Sequence, residues 1–172
     1  MKNYIKYHLK KILKKDNQNW CLGHFKTNKN IFKSKQNILE AIDKITLLKP
    51  PTDEFWADPF IYNHKNKTYV FFEKFYKKEN KGVISVGKLR NGKLVDIRDI
   101  LTKNYHLSYP FVYKVGKNIF LIPESHTNKK IQIYKSTQFP FNWKKIKTIF
   151  NDQITCDPTI FKHKGSNWMF IN

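Results

Sequence analysis

The chain has 172 residues and a formal net charge of +20, from 33 Lys and Arg against 13 Asp and Glu. That excess raises nucleic acid as a partner, because clustered basic side chains release counterions from phosphates. Apart from Arg90 and Arg98, however, every basic residue is a lysine, scattered along the chain, and base-edge and phosphate readout favours the arginine fork, so no nucleic-acid partner is expected.

Residues 1–18 read as a basic amphipathic linker helix. Six of the first fifteen residues are Lys and none is acidic, while Ile5, Leu9, Ile12 and Leu13 make one apolar stripe. Two uses stand for it: a link to a neighbouring domain, or a weak rest for residues 1–15 on an anionic membrane surface. The N-terminus lacks the apolar core of a signal peptide and no run of about 18 apolar residues follows, which makes a cytoplasmic location the expectation. From Trp20 the pattern turns to short apolar runs, Trp20-Cys21-Leu22-Gly23 and Ile31-Phe32, separated by polar turn residues, so strand signals dominate. Residues 37–45 fit either a helical turn or a loop, and Pro50-Pro51-Thr52-Asp53 breaks the chain.

A gap-free pattern then recurs three times, over residues 58–73, 109–124 and 157–172. Each copy opens on a residue-proline pair: Asp58-Pro59-Phe60-Ile61-Tyr62, Tyr109-Pro110-Phe111-Val112-Tyr113 and Asp157-Pro158-Thr159-Ile160-Phe161. Each continues through a polar tip into a second apolar run, which spells a hairpin. Further strands are predicted at Gly82–Gly87 and Lys130–Lys135, with outer strands beyond Asn91-Gly92 and Phe139–Trp143. Starts about 50 residues apart, with roughly four short strands per repeat, belong to blades of a β-propeller. Residues 19–172 are therefore expected to form an all-β propeller, incomplete at about two and a half blades where closed propellers use roughly 4–8. A fragment or an incomplete gene product is the corresponding expectation.

Asp58 and Asp157 occupy equivalent places at the start of the strand that should line the central channel. Carboxylates converging on one cavity are what glycoside chemistry needs, one to activate water or attack and another to protonate the leaving oxygen. The alternative is that Asp-Pro merely starts a turn in every repeat, which Tyr109 in the second copy argues against. Glu73 and Glu124 end the second strands of successive repeats, placed either to bind sugar hydroxyls or to brace the next blade. His106 precedes a channel strand, and Trp56, Tyr105 and Tyr109 flank the channel strands as aromatic faces on which a sugar can stack. His64 and His163 fall in hairpin tips, where exposure is expected. The two cysteines, Cys21 and Cys156, give neither metal-ligand spacing nor a disulfide framework, and no histidine pair has a metal-binding spacing, so neither metal nor other cofactor is expected.

Taken together, Phe55-Trp56-Ala57-Asp58-Pro59-Phe60, Phe71-Phe72-Glu73, His106-Leu107-Ser108-Tyr109-Pro110-Phe111, Pro123-Glu124-Ser125 and Asp157-Pro158-Thr159-Ile160-Phe161 resemble, in order and spacing, the N-terminal propeller domain of plant glucosamine inositolphosphorylceramide transferases. Similar domains accompany bacterial formyltransferase-like and glycosyltransferase proteins. That domain is similar in turn to the five-bladed propellers of family 43 glycoside hydrolases. The resemblance implies a channel that binds or once cleaved a glycan, in a protein of surface-glycan or lipopolysaccharide biosynthesis, beside a fused or neighbouring transferase domain. By position it implies that Asp58 matches the general base and Asp157 the orienting carboxylate, while Trp56, Glu73, His106, Tyr109 and Glu124 stand as substrate-binding candidates from the residues themselves. The acid Glu of such enzymes comes from a fourth blade, beyond the repeats present. An inverting hydrolase completed by further blades is the alternative, and a basic membrane-surface or nucleic-acid module the second.

Overall fold

A computed structural model describes residues 20–172; the predicted helix over residues 1–18 lies outside the described residues. Strands dominate, in four antiparallel sheets that follow the chain in order. The first blade comprises β3 (Glu54–His64), β4 (Lys67–Tyr76), β5 (Lys81–Arg90) and β6 (Lys93–Leu101), hydrogen-bonded in that order. The second repeats the order with β7 (Ser108–Val115), β8 (Asn118–Glu124), β9 (Lys130–Gln138) and β10 (Asn142–Asn151). The third copy supplies a hairpin, β11 (Thr159–His163) with β12 (Ser166–Phe170), which Cys156 and Asn172 extend through a reciprocal pair of backbone bonds.

Ahead of the blades, β1 (Leu22–His24) pairs with β2 (Thr46–Leu48), and the excursion between them carries a 3-10 turn and the helix α1 (Lys35–Asp43). Ser34 caps α1 by accepting the Asn37 backbone N–H at 3.2 Å, which settles the ambiguous 37–45 stretch as the end of a helix. The Ile31-Phe32 run, read above among strand signals, forms the 3-10 turn instead: Asn30 accepts the Phe32 N–H and closes the chain locally, leaving no strand partner.

The repeat start has a conformation that its sequence pattern does not announce. Asp58, Tyr109 and Asp157 all sit at positive φ, 49°, 44° and 52°. In the first two copies a register shift follows at once, between Ala57 and Phe60 and between Ser108 and Phe111. Each residue-proline pair is thus a bulge in the first strand of its blade. The bulge turns the side chain and its own N–H out of the ladder and toward the neighbouring blade.

Blade stacking is apolar. Ile84, Leu101, Leu107, Leu121 and Tyr134 form one buried cluster between the first and second blades. Leu22, Leu48, Trp56, Val70 and Phe72 form another beneath the β1–β2 sheet. At the blade junction Phe139, in the β9–β10 turn, meets Tyr62, His64, Tyr69, Phe71 and Trp143 at centroid distances of 4.6 to 6.4 Å. His64 is therefore half-buried against Phe139, whereas its counterpart His163 is exposed as expected. On the first blade Lys74 lies 2.8 Å from Asp99, which also receives Ser85 and Tyr76 hydroxyls; these bonds outweigh the burial that would raise the Asp99 carboxyl and hold it below its usual range.

Because Phe139 bridges the two blades with no hydrogen bond to replace, Phe139→Ala should destabilise the chain by about 2–3 kcal/mol, less than a fully buried aromatic truncation costs since the ring is only half-buried. Urea unfolding monitored by tryptophan fluorescence measures it.

Candidate functional site

The bulges bring the candidate residues to one end of the blades. Asp58 lies half-buried on β3, and its Oδ2 accepts the backbone N–H of Tyr109 at 3.2 Å, 51 positions further along the chain. The same contact recurs one blade on with different residues: Glu124 Oε2, at the end of β8, accepts the backbone N–H of Asp157 at 3.0 Å. The bulge amides of the second and third copies thus dock on a carboxylate of the preceding blade. Tyr109 adds a hydroxyl contact to Thr159 at 2.9 Å and an edge-on contact to Phe60 at 4.9 Å, which ties β3, β7 and β11 together.

Glu73 closes the fully buried Phe71-Phe72 run of β4, and its side chain is 8% exposed. Opposite it on β3 stands Ala57, which places Asp58 next to it, close enough for the Asp58 charge to disfavour ionisation of Glu73. His106 approaches from the other side: Nε2 lies 3.3 Å from Glu73 Oε1, while Nδ1 accepts the Gly82 backbone N–H at 3.0 Å. Gly82 makes this approach feasible. A Cβ there would sit 2.5 Å from the Leu107 carbonyl oxygen and 2.8 Å from both Glu73 Oε1 and His106 Cε1. His126 packs next to His106 and places Nδ1 3.0 Å from Glu124 Oε1.

The electrostatics follow from burial and from the company these acids keep. Burial, then the charges of Asp58 and Glu124, push the Glu73 carboxyl up to about 8. Burial also raises Asp58, partly offset by the Tyr109 N–H, and raises Asp157, with Glu124 and Asp58 adding to the effect. Burial, aided by His126, lowers His106 and favours the neutral ring. The short His106–Glu73 distance is consequently a contact between a neutral imidazole and a carboxyl, not an ion pair. Among the described residues no group of three or more His, Cys, Asp or Glu is placed to hold a metal ion.

Asp58 and Glu73 open onto a cleft of about 510 Å³ walled by Trp20, Cys21, Phe55, Trp56 and Pro59. Trp56 contributes its edge only; it is 6% exposed and donates its indole N–H to Glu54 at 2.9 Å. The large free aromatic face at the mouth belongs to Trp20, 66% exposed, whose carbonyl accepts the Trp56 N–H. Sequence reasoning placed Trp20 only in an opening strand; its exposure follows from lying two positions outside the paired residues of β1. Tyr105 turns elsewhere, donating its hydroxyl to Gln132, which Tyr134 also engages. Asp157 is brought to the same end but toward Glu124 and Asn172, outside the residues that line the cleft.

A family model described as glucosamine inositolphosphorylceramide transferase 1, N-terminal, matches residues 22–172. The chain belongs to that family. Proteins named glucosamine inositolphosphorylceramide transferase 1 from Oryza sativa subsp. japonica and Arabidopsis thaliana are each 33% identical to it, over 120 and 117 residues. Those stretches take in 69% and 67% of this chain but only 16% and 15% of the plant proteins, so the chain spans about a sixth of its curated relatives. Among solved structures, the GH32 β-fructofuranosidase of Bombyx mori superposes with a TM-score of 0.59 at 15% identity, over 73% of this chain and 31% of the enzyme. The α-L-arabinofuranosidase of Lactobacillus brevis superposes at 0.55 with 12% identity, over 72% and 47%. The fold of this N-terminal domain is thus that of the five-bladed propellers of glycoside hydrolases, matched over part of their length.

Since backbone and two side chains crowd the Gly82 position, Gly82→Ala should displace His106 from Glu73 and destabilise the fold by about 1–3 kcal/mol, the usual cost of overpacking. The His106 imidazole ¹⁵N shifts and the urea midpoint check it.

Proposed function

We propose that this domain is a carbohydrate-recognition module in a glycan-assembling protein, with the Asp58–Glu73 cleft as its sugar site. The observation that carries the reading is that both acids, Asp58 and Glu73, line one aromatic-walled cleft. Sugar sites combine a stacking face with a few hydrogen-bonding groups, and here Trp20 supplies the face and the acid pair the groups. Tyr109, His106 and Glu124 hold this floor together through the contacts described. The fold likeness to two furanoside-cleaving enzymes and the plant relatives' name both support sugar chemistry. That name makes glucosamine the first ligand to test, with a neighbouring transferase as the partner that uses the bound glycan.

Recognition is favoured over hydrolysis by these acids. A retaining glycosidase sets its two carboxyls about 5 Å apart and an inverting one roughly 6.5–9.5 Å apart, leaving room for substrate or water. Glu73 is only 8% exposed, lies 3.3 Å from His106 and stands beside Asp58 on the next strand, a poor position for protonating a leaving group across a glycosidic bond from Asp58. A hydrolytic role for Asp58 would need a more distant acid as its partner.

Titrating the full chain with glucosamine, N-acetylglucosamine and methyl α-D-glucoside, followed by ¹H-¹⁵N spectra, tests the reading. Saturable shifts at Trp20, Asp58 and Tyr109 are expected for at least one sugar. Asp58→Ala should weaken binding about tenfold or more, the loss of a hydrogen bond to a charged group. An absence of saturable shifts with all three sugars, or equal affinity in Asp58→Ala, would overturn it.

A further inference from the structure

We infer that the first blade carries a second site, apart from the sugar cleft: a pocket at its junction with the second blade that takes one phosphate monoester group, held by Lys67 and Lys88 and bordered by Arg98. The inference does not depend on the sugar reading, since the two cavities share no lining residue.

The pocket follows from how β4, β5 and β6 pair. Tyr69 and Lys88 are cross-strand partners, as are Phe71 and Val86, so all four point to one face of the blade. Phe71 identifies it as the face toward the second blade, because it meets Phe139 and Trp143 there. Lys67, two residues before Tyr69 on β4, falls on the same face. On β6 the partner of Val86 is Arg98, and that of Lys88 is Val95. Gly87 is therefore left opposite two residues, Asp96 and Ile97, and Asp96 takes a φ of 54°. This bulge bends the sheet and brings Asp96 to the rim. Phe141, from the β9–β10 turn, closes the pocket from the second blade.

The result is a cavity of about 180 Å³ lined by Lys67, Tyr69, Val86, Lys88, Asp96 and Phe141. Pockets that enclose a whole drug-sized ligand run to roughly 300–1,000 Å³, so this one suits a single charged group on a small carrier, not a glycan chain.

The charges select the group. Lys88 is half-buried, and among the described residues neither it nor Lys67 is engaged in an ion pair. The Arg98 guanidinium lies on the Phe141 ring, with Cζ 4.5 Å from its centre. Strand alternation puts Arg90, two residues after Lys88, on this face as well, so the only two arginines of the chain share it with the two lysines. One acid, Asp96, lines the pocket against these bases. A phosphate monoester carries about −1.5 to −2 near neutral pH, where a carboxylate carries a single charge, and it presents three acceptor oxygens to lysine and arginine donors. The excess of bases over Asp96 matches the doubly charged group.

The test is a titration of the full chain at neutral pH and constant ionic strength, followed by ¹H-¹⁵N spectra, with glucose 6-phosphate, inorganic phosphate, glucuronate and glucose as probes. Both phosphates should give saturable shifts at Gly87, Lys88, Asp96 and Phe141 with about millimolar affinity, glucuronate should bind more weakly, and glucose should leave these amides unmoved. Lys88→Ala should weaken glucose 6-phosphate about fivefold, and Asp96→Asn should tighten it about twofold, the size of single partly exposed charge contacts. Asn adopts positive φ as Asp does, so the bulge survives Asp96→Asn, and a gain in affinity is not what a damaged fold would produce.

Equal affinity for glucuronate, phosphate shifts confined to Trp20 and Asp58 in the sugar cleft, or unchanged affinity in both variants would each overturn the site. Vesicles of phosphatidylcholine containing phosphatidic acid distinguish a lipid headgroup from a free ester. Co-sedimentation that Lys88→Ala abolishes would support the site with a lipid as its source. No saturation by about 20 mM ester, together with vesicle binding indifferent to Lys88→Ala, would overturn it.

Discussion

The arrangement depends on a backbone amide turned out of its ladder. At the start of each repeat a non-glycine residue takes positive φ, a conformation that costs of order 1–3 kcal/mol for a residue with a side chain. The kink directs an N–H toward the previous blade, away from the strand that would have paired with it. An orphaned amide at a blade junction would cost as much again. A hydrogen bond to a charged acceptor contributes about 1.5–3 kcal/mol, enough to offset the kink. Asp58 supplies that acceptor for Tyr109 and Glu124 supplies it for Asp157. The carboxylates are at the channel end of the blades because the bulges need them there.

This requirement gathers acids where they repel one another. The chain is strongly basic, yet Asp58, Glu73, Glu124 and Asp157 sit close enough for each to feel at least one other. Among the described residues no lysine is paired with them; the buried lysine of the first blade goes to Asp99. Taking a buried cation there would cost its own desolvation, while taking up a proton removes the charge altogether, the answer that the raised Glu73 carboxyl favours. Structure and recognition are coupled here: Asp58, the acid that docks the next blade, also lines the cleft.

Much of the fold was legible in the residues. The thrice-repeated residue-proline start, the polar tips and the spacing of the copies describe blades, and the two four-stranded sheets and the third hairpin follow them closely. What could not be read was conformation at single positions. Nothing in Asp58-Pro59 or Tyr109-Pro110 announces positive φ, since a proline restricts the preceding residue mainly against right-handed helix. The site residues were legible as a group because they fall at matching offsets in the repeat. Their placing was not, because Asp58 and Glu73 come together on two strands of a hairpin and His106 reaches Gly82 from the connection between two blades. Trp20 escaped notice for a similar reason: exposure depends on where a short strand stops, which the β1–β2 pairing decides. A signal for Gly82 was present in retrospect, as a glycine inside an otherwise β-branched strand marks a close approach.

The close approach at Gly82 shows why this cluster works as a unit. Its lack of a side chain lets His106 reach the strand, its N–H chooses the tautomer of the ring, and the tautomer sets Nε2–H against Glu73 Oε1. Each step is a donor or acceptor count with one solution. A larger residue at 82 would remove the first step; a histidine without the amide would be free to charge and to neutralise Glu73 as an ion pair. The tautomer that faces the buried acid on β4 thus traces to a single backbone amide on the neighbouring strand, β5.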